Sequence, residues 1–161
     1  MSGPRLLQRG YAAVALDNPK CGQNVGGAMR AAIVYGAALV VLGGPRADTL
    51  FRYPTDTMKA YRSIPHVRVP DIFDALPFDC VPVGVDLVAE AKPLQDYTHP
   101  ERAFYIFGAE DATLGARVLS RCRDVIYVPT NGCMNLAACV NVVLYDRLAK
   151  SKRKSLRVAA A

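Results

Sequence analysis

The stretch VPTNGCMNLAACVNVVLYDRLAK, running from Val128 to Lys150, decides the fold. It begins like the end of a buried strand, passes through a polar turn and becomes a long amphipathic helix. Leu136, Val140, Val143, Leu144 and Leu148 fall at spacings of four, three, one and four, which puts them on one helical face. Asn131, Gly132, Cys133 and Asn135 crowd the joint between strand and helix. Glycine and asparagine close turns, so taken singly the crowding requires no function.

Outward from this unit, the chain alternates short apolar runs with helical patterns. Residues 11–17 (YAAVALD), 38–44, 81–87, 102–108 and 124–129 read as strands. Several are apolar on consecutive residues, as strands buried on both faces are. Residues 24–37, 54–64, 71–76 and 113–122 read as helices, followed by the helix from Leu136 onward. This alternation predicts an α/β fold with a parallel sheet flanked by helices on both faces. The 161 residues are 52% hydrophobic and contain no internal repeat or low-complexity linker, so a single domain spanning 1–161 is expected.

The net charge of +6 is unevenly spread. Arg147, Lys150, Lys152, Arg153, Lys154 and Arg157 hold six of the 20 basic residues, and the remaining 14 match the 14 acids. A basic C-terminal tail from about residue 147 is therefore expected. Such a block engages phosphates or keeps a helix end solvated, and charge alone does not choose. No window approaches the roughly 18 apolar residues of a membrane span, and MSGPRLLQRG lacks the apolar core of a secretion signal. A soluble cytoplasmic protein without a membrane partner is expected. The five cysteines, at 21, 80, 122, 133 and 139, have no CxxC spacing, which argues against a disulfide framework and a structural zinc site. His66 and His99 stand alone in the sequence and no acidic cluster appears, so no metal is expected.

Ligands of parallel sheets sit at the carboxyl ends of strands. Three such ends carry unusual polar and glycine content: LDNPKCGQNVGGAMR (16–30), FGAEDATLG (107–115) and VPTNGCMNLA (128–137). Asn24 is a candidate cap for a helix carrying Arg30 almost two turns in, and Asp111 and Asn131 are candidate caps elsewhere. The glycines do not satisfy GxGxxG after the first strand, and GxxxxGK[ST] is absent, which argues against dinucleotide and P-loop chemistry.

Taken together the three loops say more. Asn18 and Asn24-x-Gly26-x-x-x-Arg30, then Phe107-Gly108-x-Glu110, then Val128-Pro129 with Cys133-Met134-Asn135-Leu136, resemble in order and spacing the motifs of the SPOUT methyltransferases. More narrowly they resemble the TrmH-type ribose 2′-O-methyltransferases, over nearly the whole chain. The short length makes the chain similar to the minimal TrmL-like members, which methylate the wobble nucleotide of certain transfer RNAs. The resemblance implies that the C-terminal part of the sheet forms a deep trefoil knot, with S-adenosylmethionine (AdoMet) held bent in the knotted loop. Its implied contacts are Val85, Gly108, Val128 and Cys133, with Met134, Asn135 and Leu136 beside them. Apolar residues at 85, 128, 134 and 136 suit an adenine face whose edge is read by backbone groups. A homodimer is implied as well. Ala137, Val140 and Val143 fit either its interface or an intrachain core.

The implied reaction is displacement of a methyl group from a sulfonium by a ribose hydroxyl of RNA, with transfer RNA the expected substrate. Ribosomal RNA, an AdoMet- or RNA-binding module without turnover, and a small-molecule methyltransferase are the alternatives. The family match places Arg30 at the reacting hydroxyl. A guanidinium with a pKa above about 12 is a poor base, so stabilising the developing alkoxide and gripping a phosphate suit it better. Asn24 and Asn135 are implied orienting groups. Glu110 either holds Asn or Arg side chains or is a helix-start carboxylate. Arg30, Lys152, Arg153 and Lys154 are the expected RNA contacts. The sequence departs from the family pattern at Cys133, where relatives usually carry serine, and at Thr113, where a glycine usually precedes Leu114. Cys133 is either a swap of hydroxyl for thiol, in which case Cys133→Ser retains activity, or a nucleophile for methylation at a base carbon, in which case that variant loses nearly all of it.

Overall fold

The computed structural model describes residues 10–50 and 52–159, those from 152 onward as backbone helix only. Its strands are β1 (Tyr11–Asp17), β2 (Leu39–Gly43), β3 (His66–Val69), β4 (Val81–Val85), β5 (Lys92–Pro93), β6 (Arg102–Phe107) and β7 (Asp124–Tyr127). All pair in parallel, in the sheet order β3-β2-β1-β6-β4-β7-β5. The helices are α1 (Gly22–Val34), α2 (Ala116–Leu119) and α3 (Leu136–Ala159).

The consecutive apolar residues of the central strands are explained by burial on both faces. From β1, Val14 and Leu16 join one core layer, formed with Val25 and Met29 of α1 and Val140 and Val143 of α3. Ala13 and Ala15 join the other, where Ile72, Phe73, Leu114 and Val118 pack. The expected two-faced sheet is present, but coverage is unequal. Two long helices guard one face, and only a 3-10 turn (Ile72–Ala75) and the short α2 guard the other.

Three expected helices shrink. Residues 54–64 instead form turns ending in a 3-10 segment at Ala60–Arg62, because Lys59 takes a left-handed φ of 52°. The buried Asp56 closes that segment by accepting the N–H groups of Ala60 (2.8 Å) and Tyr61 (3.0 Å). Residues 71–76 reduce to one 3-10 turn, whose cap Asp71 accepts from the N–H of Phe73. The span 113–122 keeps helix only at 116–119, since Gly115 is extended. Two strands were not expected. β3 exposes the consecutive residues Val67 and Arg68 at the sheet edge, and β5 is two residues long.

Helices α1 and α3 pack closely where Gly27 faces Ala137. A Cβ on Gly27 would stand 2.7 Å from that of Ala137, so only glycine permits the approach. Val140 and Val143 are fully buried within the chain, which assigns their face to the core.

The basic tail is not uniformly a tail. Arg147 donates to the carbonyls of Pro100 (2.6 Å) and Glu101 (2.7 Å) and to the Tyr105 hydroxyl (3.2 Å). Lys150 donates to the carbonyls of Leu94 (2.6 Å) and Tyr97 (2.9 Å) and pairs with Asp146 at 2.7 Å. These two cations tie α3 to the 94–105 region and are engaged within the fold. The side chains of Lys152, Arg153, Lys154 and Arg157 lie outside the described residues. Among the described residues, no helix is long and apolar enough to cross a membrane.

Candidate active site

Strands β1, β6, β4 and β7 are successive neighbours in the sheet, so the loops leaving their carboxyl ends lie side by side. Those loops carry the three polar segments of the sequence. Glu110, after β6, accepts three hydrogen bonds: from the N–H of Lys20 (2.8 Å), the N–H of Cys21 (3.2 Å) and Nδ2 of Asn24 (2.7 Å). Asn24 passes the chain on, its Oδ1 accepting from Nδ2 of Asn135 at 2.8 Å. Asn135 in turn caps α3, its Oδ1 accepting from the N–H of Ala138 at 3.2 Å. One line of hydrogen bonds thus runs through all three segments.

Burial alone would raise the pKa of the Glu110 carboxyl. The hydrogen bonds from Asn24 and from the amides of Lys20 and Cys21 outweigh that, and the pKa lies below its ordinary value. Glu110 is therefore an ionised acceptor that fixes amide orientation. Since α2 starts only at Ala116, Glu110 is not a helix-start carboxylate, and it holds Asn24 rather than an arginine. The expected cap role of Asn24 is corrected too. α1 begins at Gly22 with Cys21 in the cap position, and Asn24 lies inside the first turn, which frees its amide for Glu110 and Asn135.

Arg30 stands apart from this line. It is exposed and donates to Oγ1 of Thr57 at 3.1 Å. Among the described residues no hydrogen bond joins it to Asn24, Asn135 or Glu110. Its partner loop is seated on α1 through Gly26, where an added Cβ would lie 2.7 Å from Oγ1 of Thr55. Thr55 also donates to the carbonyl of Gln23.

Two contacts went unread in the sequence. Asp86, directly after β4, accepts from the N–H of Leu87 (2.7 Å) and of Leu114 (2.5 Å), pinning the second motif loop to the end of β4. An aspartate just past a buried strand, free to bond a following N–H, was the available signal. Asp111 caps nothing. It pairs with Arg46 (3.1 Å) and Lys20 (3.4 Å), and the hydrogen bond from Arg46 is the chief reason its pKa falls below the usual aspartate value.

The implied cofactor contacts fall on the same rim. Val85 and Leu136 are buried, Gly108, Val128 and Met134 half-buried, and Cys133 and Asn135 exposed. Among the described residues no hydrogen bond uses the N–H groups of Asn131, Gly132 or Cys133, and an added Cβ on Gly132 would meet nothing within 4 Å. Apolar side chains flanked by uncommitted backbone donors are what an adenosine with a polar tail requires. The residues present fit AdoMet. No group of three His, Cys, Asp or Glu among the described residues is placed to hold a metal.

Comparison with known proteins bears on this arrangement. A sequence profile described as the SpoU rRNA Methylase family matches residues 11–145. A curated relative, the 23S rRNA (guanosine-2′-O-)-methyltransferase RlmB of Acinetobacter baylyi, is 27% identical over 155 residues. The match covers 88% of this chain but 62% of that protein, so the chain spans about three fifths of its relative's length. The SpoU methyltransferase AviRb from Streptomyces viridochromogenes, solved in complex with AdoMet, superposes with a TM-score of 0.76 at 22% identity, covering 90% of this chain and 59% of its own. A structure described as giving insight into 2-OH methylation of C/U34 on tRNA superposes with a TM-score of 0.73 at 23% identity, covering 92% of each chain. Profile, relative and fold agree with the motif resemblance, and the chain belongs to the SpoU rRNA methylase family.

Proposed function

We propose that this chain, acting as one domain over residues 1–161, transfers a methyl group from AdoMet to a ribose 2′-hydroxyl of transfer RNA. The observation that carries the reading is the line Glu110–Asn24–Asn135, which fastens the three motif loops into one rim. Transfer RNA is favoured by the neighbour of matching length, described by its 2-OH methylation of C/U34 on tRNA. Ribosomal RNA is the second reading, favoured by the name of the RlmB relative. A cytoplasmic homodimer with a C-terminal trefoil knot belongs to the same proposal. In support of the knot, β7 lies between β4 and β5 while α3 returns across α1. In support of the dimer, Val34 and Tyr145 are exposed on α1 and α3, with Tyr35 edge-on to Tyr145 at 6.4 Å. Five unpaired cysteines fit a reducing compartment.

AdoMet, when bound, supplies an already activated methyl group. Val85, Gly108, Val128, Cys133, Met134, Asn135 and Leu136 are the residues that would hold it. Arg30 keeps most of its guanidinium donors available after bonding Thr57, so it can meet the developing alkoxide and the adjoining phosphate. The hydroxyl proton leaves to that phosphate or to water. Asn24, Asn135 and Glu110 are positioning residues, holding the rim so that donor and acceptor line up. Lys152, Arg153 and Lys154, further along α3, are proposed phosphate contacts.

The test is transfer of labelled methyl from AdoMet to total unmodified RNA, followed by size separation and nucleoside analysis. A 2′-O-methylated nucleoside in the transfer RNA fraction is expected. Label in ribosomal RNA selects the second reading, and tight cofactor binding without transfer rejects turnover. Arg30→Lys is expected to lower kcat by about 10²–10³-fold with AdoMet affinity unchanged. Near-normal turnover of that variant removes the role given to the guanidinium fork.

A further inference from the structure

Acids and bases outside the C-terminus match in total but not locally. Between Arg52 and Arg68 the chain carries Arg52, Lys59, Arg62 and Arg68 against one acid, Asp56. Asp56 is 5% exposed and its carboxylate is committed to the amides of Ala60 and Tyr61. The one acid of the segment is turned inward, and Arg52, Lys59 and Arg62 stay outside. Arg52 and Lys59 are exposed and have no acidic partner among the described residues. Arg62, also exposed, bonds the Tyr61 hydroxyl at 3.2 Å and lies over the Tyr61 ring at 5.6 Å. Arg68 builds the segment from behind, donating to the carbonyls of Ala47 and Leu50 and to the Tyr53 hydroxyl. Other exposed cations are paired with carboxylates: Lys92 and Arg123 with Asp124, and Arg117 and Arg121 with Asp71.

Location gives the patch its meaning. The segment runs along α1, with Arg52 beside Gly22, Thr55 bonded to Gln23 and Thr57 bonded to Arg30. From Gly22 to Arg30 is eight helical steps, about 12 Å at 1.5 Å each. At the Gly22 end a cleft of about 510 Å³ opens, lined by Lys20, Cys21, Gly22, Gln23, Arg52 and Pro54. Two of these residues, Lys20 and Cys21, are the ones whose amides Glu110 holds. The patch is thus continuous with the catalytic rim at one end and with Arg30 at the other.

We infer that the strap from Arg52 to Arg62 is an RNA-binding surface that takes the backbone phosphates flanking the nucleotide presented to Arg30. The inference rests on the RNA reading above and names the residues that grip that substrate. Phosphates need cations not already neutralised by neighbours, and Arg52, Lys59 and Arg62 meet that need, with Tyr61 as a ring beside them.

The test measures binding of an unmodified transfer RNA transcript by fluorescence anisotropy over a range of salt, using the full chain. The variants are Arg52→Gln/Lys59→Asn/Arg62→Gln and, as a control of similar charge loss, Lys92→Gln/Arg123→Gln. Asparagine keeps the left-handed backbone at position 59 accessible. The strap variant is expected to bind at least tenfold more weakly near 0.1 M salt. Its slope of log K against log salt should fall by about 2, at roughly 0.7–0.9 per phosphate contact. AdoMet affinity by calorimetry and the control's RNA binding should not change. The single variant Lys59→Asn, on an exposed turn, should alone lower the slope by about 0.7 and guards against misfolding of the triple variant. Equal slopes for strap variant and control overturn the inference, as does displacement of the RNA by polyglutamate at matched charge, which points to an acidic protein instead. Strap-dependent binding without methyl transfer leaves the surface standing and removes the proposed function. Methyl transfer indifferent to the strap does the reverse.

Discussion

The contact of Gly27 with Ala137 allows a quantitative test of how α1 and α3 set the site. In Gly27→Ala the two methyl carbons would start 2.7 Å apart, against an ordinary carbon contact of about 3.5–4.0 Å. The helices must part by about 1 Å or distort, and overpacking of this kind costs about 1–3 kcal/mol. Alanine returns about 1 kcal/mol of helix propensity, so the net loss is about 0–2 kcal/mol. Ala137→Gly alone loses propensity and a half-buried methyl, about 1–2 kcal/mol together. In the double variant the methyl has only moved from one helix to the other, and stability should return to within about 1 kcal/mol of the parent chain. Urea unfolding of the four chains should therefore give a coupling of about 1–3 kcal/mol, and each kcal/mol should appear as about 2–4 °C in Tm. The same separation would carry the 2.8 Å bond between Asn24 and Asn135 beyond hydrogen-bonding range. Methyl transfer by Gly27→Ala should then fall about 10–100-fold and recover in the double variant. A Gly27→Ala chain stabilised by the full propensity gain, with effects that add, would refute the close-packing argument.

Two further outcomes concern pH. In Glu110→Gln one acceptor oxygen replaces two while three donors still converge on it, so stability should drop by about 1 kcal/mol, a small figure because water reaches the carboxylate. Because the folded Glu110 pKa is depressed, its contribution is present above the unfolded glutamate pKa and lost as pH falls through the folded one; Glu110→Gln should flatten that acid limb in thermal melts, and an unchanged limb counts against the assignment. His99 is buried between the Tyr105 hydroxyl (2.6 Å) and Asp146 (2.8 Å), with Arg147 and Lys150 nearby. Burial lowers its pKa more than Asp146 raises it, so the folded ring stays neutral while the unfolded chain takes up a proton first as pH falls below about 6.5. Stability should decline from pH 7 to pH 5, and His99→Gln should remove that slope; a parent chain growing more stable over the range would contradict it.

The parallel α/β sheet was legible because its central strands are buried on both faces and say so in unbroken apolar runs. The α3 face from Leu136 to Leu144 was legible as apolar from its spacing, but its assignment to the core rather than to an interface came only with the burial of Val140 and Val143. What failed to read were segments governed by single side chains. A helix over 54–64 is a fair expectation until Asp56 turns inward and Lys59 crosses to positive φ, and neither event leaves a trace in periodicity. The site was legible as three polar loops but not as a connected object. That Glu110 chooses Asn24 over an arginine, and that Arg30 leans on Thr57, depends on how strands far apart in sequence are ordered side by side. Charge misled in both directions, since Arg147 and Lys150 are engaged by backbone carbonyls while Arg52, Lys59 and Arg62 are exposed beside an aspartate that is buried.

The sheet order also governs when the protein can become itself. Leu16 of β1 finds its partner in Phe107 of β6, and among the described residues β5 pairs in the sheet with β7 alone. A growing chain that has reached β4 therefore holds β1, β2 and β3 with one side of β1 still bare. One that has reached β6 still leaves β5 unpaired and Asn24 without Asn135. Loop closure over such separations must be met before any pairing compensates it, which makes acquisition of this fold slow. The segment that emerges after these, β7 with α3, seats its strand between β4 and β5 and delivers the cap residue of the rim. Competence thus arrives late and all together, and a chain cut short before Asp124 would have every other motif and no site.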